Sequence, residues 1–285
     1  MKPLNLHQLE RKANLIRQDI IKMLTIAGSG HSAGSLGMAD VFTVLYFSGL
    51  VKHHPQNPNW EDRDRIILSH GHICPVRYAA MAHAGYFPLK ELSTLRQLGS
   101  RLQGHPEALR LPGLETTSGP LGSGLAQAAG IAYAARMDQK TFRVYCLCSD
   151  GEHDEGNHWE AVMFAGKNQL SNLTLIIDRN NIQIDGHTED VMPLEPLDAK
   201  YAAFNWRVLH INGHNHEEII DALTHAQSTY ETPTAIIAHT IPGKGVSFME
   251  NDPAWHGRAP DSKQARQALR ELKSESHHFP LHQSC

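Results

Sequence analysis

The sequence predicts an α/β protein, a parallel sheet with helices on both faces, and three observations carry that prediction. Strand-like apolar runs alternate with helical stretches of about ten to fifteen residues along most of the chain. Two of the runs, Arg143–Cys148 and Leu173–Asp178, each end in a polar turn of the kind found at the carboxyl ends of parallel strands, where open α/β sheets bind ligands. At 285 residues and 41% apolar content the chain can bury a real core, and no internal repeat, low-complexity tract or convincing linker divides it. We therefore expect one domain over residues 1–285, with a core of about 10–260 and a carboxyl-terminal tail over 261–285.

The elements follow in order. Leu9, Ala13, Ile16, Ile20, Met23 and Leu24 recur at helical spacing and predict a helix over 6–27 that ends at Gly28. A Gly-rich loop over 28–34 precedes a second helix near 38–49, and an extended Pro-bearing linker spans His53–Pro58. Arg65–Ser69 reads as a short buried strand delivering His70-Gly71-His72 into a loop. Residues 124–136 are Ala-rich and helical, and the strand 143–148 then leads into Ser149-Asp150-Gly151-Glu152. Trp159, Val162, Met163 and Gly166 mark an amphipathic helix before the strand 173–178. A strand near 206–211, a helix near 217–226 and a strand near 234–239 complete the alternation.

Composition narrows the function. A formal charge of -4, from 26 basic and 30 acidic residues without a sustained basic stripe, gives no footprint for nucleic acid or an acidic membrane. The amino terminus lacks the apolar core of a signal peptide and no stretch has the length of a membrane span, so a cytoplasmic location is the expectation. Cys74, Cys146, Cys148 and Cys285 form no disulfide framework; Cys146 and Cys148 point to one face of their strand and read as small core residues. Twenty histidines are an unusual load, several beside loop glycines, whereas His277, His278 and His282 read as a solvated tail.

Asp150 and Asn180 are the most informative pair. Each follows a strand, and a hard cation such as Mg²⁺ takes oxygen ligands in an octahedral array. The Asp150 carboxylate, the Asn180 amide oxygen and the Ile182 carbonyl, with two diphosphate oxygens, would nearly fill it. Taken singly, Asp-Gly and Asn-Asn are ordinary turns; the pair at this spacing points to a metal–diphosphate site. Gly122-Ser123-Gly124 imitates a dinucleotide fingerprint, but a polar, Pro-bearing segment stands before it instead of a strand, so we set aside a nicotinamide cofactor.

Asp150-Gly151 with Asn180-Asn181-Ile182-Gln183-Ile184-Asp185-Gly186 resembles the thiamine-diphosphate fingerprint in its transketolase version. Ser29-Gly30-His31 with Leu36-Gly37-Met38-Ala39, Ser69-His70-Gly71-His72, Gly104-His105-Pro106-Glu107, Thr116–Gly122 and Thr240-Ile241-Pro242-Gly243-Lys244-Gly245 with His256-Gly257 resemble further transketolase segments in the same order. The resemblance covers about residues 10–260 and implies a thiamine-diphosphate-binding fold, the diphosphate-binding domain.

The resemblance implies thiamine diphosphate with Mg²⁺, or Ca²⁺ or Mn²⁺ in its place, held by Asp150, Asn180 and the Ile182 carbonyl. It places the Gly151 amide at the diphosphate, and Gly119 and Leu121 beside the aminopyrimidine. His31, His72, His105 and His256 would line the thiazolium and substrate channel, with His72 and His256 also near the diphosphate. Glu155 and Glu160 would join a cofactor-linked proton network at a subunit interface. Histidines titrating near neutrality suit the shuttling of sugar-hydroxyl protons during ketol transfer.

The family's second and third domains, including the glutamate that activates the aminopyrimidine, have no counterpart among these segments. The expectation is therefore the amino-terminal subunit of a split transketolase, active with a partner carrying the pyrimidine-binding domain, in an α₂β₂ assembly. The rivals are a subunit of a deoxyxylulose-phosphate synthase-like enzyme or of a 2-oxoacid dehydrogenase, and a non-catalytic binding module. Gly104-His105-Pro106-Glu107 and the Ile182–Gly186 segment favour transketolase. Two departures stand out: Ser149 replaces the usual first Gly of Gly-Asp-Gly, and His70 stands where Asn is common.

Overall fold

The structure, a computed structural model, describes residues 2–277. Asn5 opens helix α1 (Leu6–Ala27) with a capping box, its side chain accepting from the Gln8 N–H while the Gln8 side chain accepts from the Asn5 N–H. Gly28 closes the helix at φ 65°, a left-handed conformation that glycine adopts without steric cost. The segment expected as a loop through Gly34 is shorter, because α2 (Ala33–Gly37) forms before α3 (Ala39–Phe47).

The sheet contains β1 (Arg65–Leu68), β2 (Val144–Ser149), β3 (Leu173–Arg179), β6 (Arg207–Asn212) and β7 (Thr234–His239). A two-stranded hairpin, β4 (Ile182–Gln183) and β5 (Gly186–His187), follows β3 outside it. All pairs in the five-stranded sheet are parallel, in the order β1-β2-β3-β7-β6. The helices between and around them are α4 (Cys74–Ala84), α5 (Ser123–Met137), α6 (Gly156–Lys167), α7 (Thr188–Val191), α8 (Leu197–Ala203), α9 (His216–Gln227) and α10 (Ser262–His277).

Alternation along the strands divides the core into two layers. Ile66, Leu68, Tyr145, Leu147, Ile176, Ile236 and Ala238 pack with α1, α3, α4, α9 and α10 on one face. Ile67, Cys146, Cys148, Leu175, Ile177 and Ile237 pack with α5, α6 and α8 on the other. The predicted fold class therefore holds, and Cys146 and Cys148 are small buried residues on a common face. Cys285, His278 and His282 lie outside the described residues.

The carboxyl-terminal boundary needs correction. Residues expected to begin a tail at 261 instead form α10, which buries Ala265, Ala268 and Leu272 in the same layer as α1. A narrow stripe of two alanines and one leucine, with half-buried Leu269 packed beside it, carries the contact. Helix α4, unassigned from sequence, is buried on nearly all sides and so lacks the one-sided pattern that announces a surface helix.

Candidate active site

Strand register creates the site. Ser149 pairs with Asp178 across β2 and β3, so the turns after the two strands emerge side by side at the carboxyl edge of the sheet. Asp150 is fully buried there. Its Oδ1 accepts from the Gly151 amide at 2.8 Å, and its Oδ2 accepts from the Asn181 amide at 2.7 Å and Arg179 Nη1 at 3.0 Å. Burial pushes the Asp150 carboxyl up to about 6 against the opposing pull of Arg179.

Asn180 is held from both ends: its Nδ2 donates to Asp178 at 2.8 Å and its Oδ1 accepts from the Ile182 amide at 3.0 Å. Asn181 between them sits at φ 61°, which Asn tolerates better than most side chains and which turns the chain back toward the hairpin. Asp178 is buried, accepts a hydrogen bond from the Thr240 hydroxyl, and is pushed up to about 7 by burial. Asp150, Asn180 and Ile182 thus lie on adjoining turns, with the hard oxygen donors suited to a hard divalent cation.

Above these turns opens a cleft of about 330 Å³ lined by His31, His72, His105, His256, Gly119, Leu121, Gly151, Ile182 and Gln183, with Ser149, Glu152 and Ile184. The four predicted histidines come from four separate segments yet form one wall. Ring centroids lie 4.8 Å apart for His31 and His72, 5.6 Å for His31 and His256, 5.2 Å for His72 and His256, and 6.5 Å for His31 and His105. Burial, reinforced at His31 by His256, Arg96 and His105, lowers His31 to about 4. His72 falls well below the ordinary imidazole range and His105 and His256 are lowered too, burial being the largest cause in each. At neutral pH these rings accept or donate hydrogen bonds without carrying charge.

Two cleft-lining side chains hold buried polar atoms with no hydrogen-bond partner, His31 Nδ1 and Gln183 Nε2. Buried polar atoms are normally satisfied, so these two fit a polar ligand in the cleft. Glu155 and Glu160 do not line the cleft. Both are exposed on or beside the first turns of α6, and the Glu155 side chain abuts Gly122 at the start of α5.

The sequence reading assigned no role to the groups that brace the site. Glu152, fully buried, accepts from the Ser69 hydroxyl, from the Ser149 and Gly122 amides at 3.2 Å each, and from Ser149 Oγ at 3.4 Å. It thereby joins the His70–His72 loop, the metal-side turn and the entry to α5. Gly124 leaves room for this junction: a Cβ there would meet Ser69 at 2.4 Å. Arg179 is clasped by Asp150, by Glu189 and, at 2.9 Å, by Glu195. His70 is buried, with Nδ1 3.1 Å from the Leu147 carbonyl, and is lowered to about 3 by burial. A carboxylate within three residues of a strand end, as Glu152 and Asp178 are, was the available signal.

The family model described as "Transketolase, thiamine diphosphate binding domain" matches residues 9–284. The chain is 42% identical over 267 residues to the 6-deoxy-6-sulfo-D-fructose transketolase subunit SqwG of Clostridium sp. (strain MSTE9), covering 94% of this chain and 97% of that relative. It is 38% identical to an apulose-4-phosphate transketolase subunit from Phocaeicola vulgatus, covering 93% of each. Against rat transketolase the identity is 36%, over 95% of this chain but 43% of the relative. The crystal structure of Campylobacter jejuni transketolase superposes with a TM-score of 0.89 at 35% identity, over 97% of this chain and 46% of that one. With fold, strand-end turns and histidine wall in agreement, the chain belongs to the transketolase family, in its thiamine-diphosphate-binding domain.

Proposed function

We propose that this chain is the diphosphate-binding subunit of a two-chain transketolase, moving a two-carbon ketol unit from a ketose to an aldose. The observation that carries the proposal is the placing of Asp150 and Asn180 on adjoining turns beneath a cleft walled by His31, His72, His105 and His256. Relatives of nearly the same length that are named as transketolase subunits support the two-chain reading. Those two are named for ketoses bearing a sulfo or a phosphate group, and a ketose with an anionic end is the substrate class we infer here.

In this reading Asp150, Asn180 and the Ile182 carbonyl hold Mg²⁺, with Ca²⁺ or Mn²⁺ as substitutes. Gly151 and Gln183 meet the diphosphate, joined on the cleft side by His72 and His256, while Gly119 and Leu121 flank the aminopyrimidine. Bound thiamine diphosphate supplies the nucleophile and electron sink that the side chains lack. The chain's own residues position the sugar, exclude water, and exchange hydroxyl protons through the neutral imidazoles of His31, His72, His105 and His256. Glu155 and Glu160, exposed on this chain, face the partner and extend the cofactor's proton network into it. The partner carries the pyrimidine-binding domain, in an α₂β₂ assembly. Free buried thiols at Cys74, Cys146 and Cys148 fit a reducing, cytoplasmic setting. No helix among the described residues is long and apolar enough to cross a membrane.

Asp150→Ala tests the site directly. Calorimetry of the assembled complex should register loss of Mg²⁺-dependent thiamine-diphosphate binding, and an affinity equal to that of the unsubstituted complex would refute the assignment.

A further inference from the structure

Behind the Asp150 turn, on the sheet face covered by α5, α6 and α8, lies a second cluster that the proposed chemistry does not use. Cys148 comes from the end of β2, His153 from the turn that follows, His158 from α6 and Tyr201 from α8; all four are buried. One ligand atom from each of Cys148, His153 and His158 falls within 4.8 Å of the others. The Tyr201 hydroxyl stands 2.8 Å from His153 Nε2 and 2.7 Å from His158 Nε2.

The proton positions follow from the partners. His153 Nδ1 lies 2.9 Å from the Ser149 carbonyl and 3.0 Å from the Asp150 carbonyl, which only accept, so Nδ1 carries the proton and Nε2 is a bare lone pair. The Tyr201 hydroxyl donates to that lone pair. Having one proton, the hydroxyl accepts from His158 Nε2–H, which leaves His158 Nδ1 unprotonated. That atom is buried and finds no hydrogen-bond partner. An orphan imidazole lone pair beside a thiol and a second imidazole is a donor set for a borderline divalent ion rather than for Mg²⁺.

We propose that Cys148 Sγ, His153 Nε2 and His158 Nδ1 form a Zn²⁺ site completed by a solvent oxygen, the Tyr201 hydroxyl giving up its bond to His153 and keeping the one it accepts from His158 Nε2–H. Zinc takes nitrogen at about 2.0–2.1 Å and sulfur at about 2.3 Å in a tetrahedron, so the ligand atoms need draw together by roughly 1 Å. On binding, the Cys148 S–H bond breaks as the S–Zn bond forms, and the proton leaves to solvent; both imidazoles bind neutral. The net positive charge of the zinc–thiolate unit is offset by buried Glu152, whose carboxylate acts on the Cys148 thiol. A cleft of about 550 Å³, with His153, Trp159, Lys200 and Phe204 in its wall, gives the ion its path. Because His153 also bonds the Asp150 carbonyl, the ion would staple α6, and through the His158–Tyr201 hydrogen bond α8, to the turn that holds the diphosphate-side cation.

The test is a Co²⁺ titration of the chelator-treated full chain carrying Cys285→Ser, so that the carboxyl-terminal thiol contributes nothing. The expected result is one Co²⁺ per chain with a thiolate-to-cobalt charge-transfer band, displaced by Zn²⁺. The band should vanish in Cys148→Ser and persist in Cys146→Ser, whose thiol lies on the same strand face. Asp150 and Asn180 offer only oxygen and give no such band, so occupancy of the diphosphate-side site cannot imitate the result. If Cys148→Ser fails to fold, His158→Gln gives the same reading. No thiolate band in the starting protein at stoichiometric Co²⁺, or a band that survives Cys148→Ser, overturns the proposal.

Discussion

Glu152 marks where sequence stops informing and structure begins. Asp150 and Asn180 are legible because each follows an apolar run, and parallel pairing of the two runs brings them together. Glu152 sits two positions from Asp150, yet its role depends on Ser69, 83 residues away, and no local pattern encodes that contact. The histidines divide likewise: their positions fit a motif order, but their neutrality arises chiefly from burial, with neighbouring cationic and imidazole groups adding to it at His31, His72 and His105. His70 gives the clearest consequence. Its folded pKa, about 3, lies below the ordinary value of 6.5, so as pH falls through 6.5 the unfolded chain takes up a proton that the folded chain refuses. Stability is fully present above about pH 6.5 and declines toward pH 3. At pH 5 this one residue should cost on the order of 2 kcal/mol relative to neutral pH. His70→Asn should reduce the loss by about that amount, read from urea unfolding at pH 7 and pH 5; equal losses in both proteins would contradict the account.

Among the elements, those with a one-sided pattern or a clean apolar run were readable, and those defined by contact were not. The first helix matches its expected span because Asn5 and Gly28 supply both ends locally. Helix α8 buries little more than Leu197 and Tyr201, too few positions for a period to show. Helix α6 packs through a contact that no sequence period announces. A Cβ on Gly166 would stand 1.9 Å from the Phe204 carbonyl oxygen just past α8, so the two helices meet at the glycine backbone. Gly166→Ala should destabilise the protein by about 3 kcal/mol through forced separation of these helices. Gly130 in α5 has open space at the same point and no left-handed backbone, so Gly130→Ala should be neutral or stabilise by up to about 1 kcal/mol. Chemical denaturation of the two variants checks both signs at once.

At the scale of the whole molecule, the fold class followed from the sequence because strand–helix alternation is a local signal, and the strand-end turns of the candidate site were legible for the same reason. The packing of α10 against the first helix did not follow, since it joins segments more than 200 positions apart. The two-chain proposal makes a matching prediction: alone, this polypeptide should show no ketol transfer, and adding a chain with the pyrimidine-binding domain should restore it in a coupled assay. Turnover by the isolated chain would refute the division of labour. The histidine wall carries one more consequence. His31, His72, His105 and His256 all titrate below their ordinary range, so at neutral pH that side of the cleft has hydrogen-bonding capacity without fixed charge. Recognition of sugar hydroxyls there should be indifferent to ionic strength, because screening acts on charges and not on neutral imidazoles. Any salt dependence of the Michaelis constant then reports on the anionic end of the substrate and the charged groups that meet it.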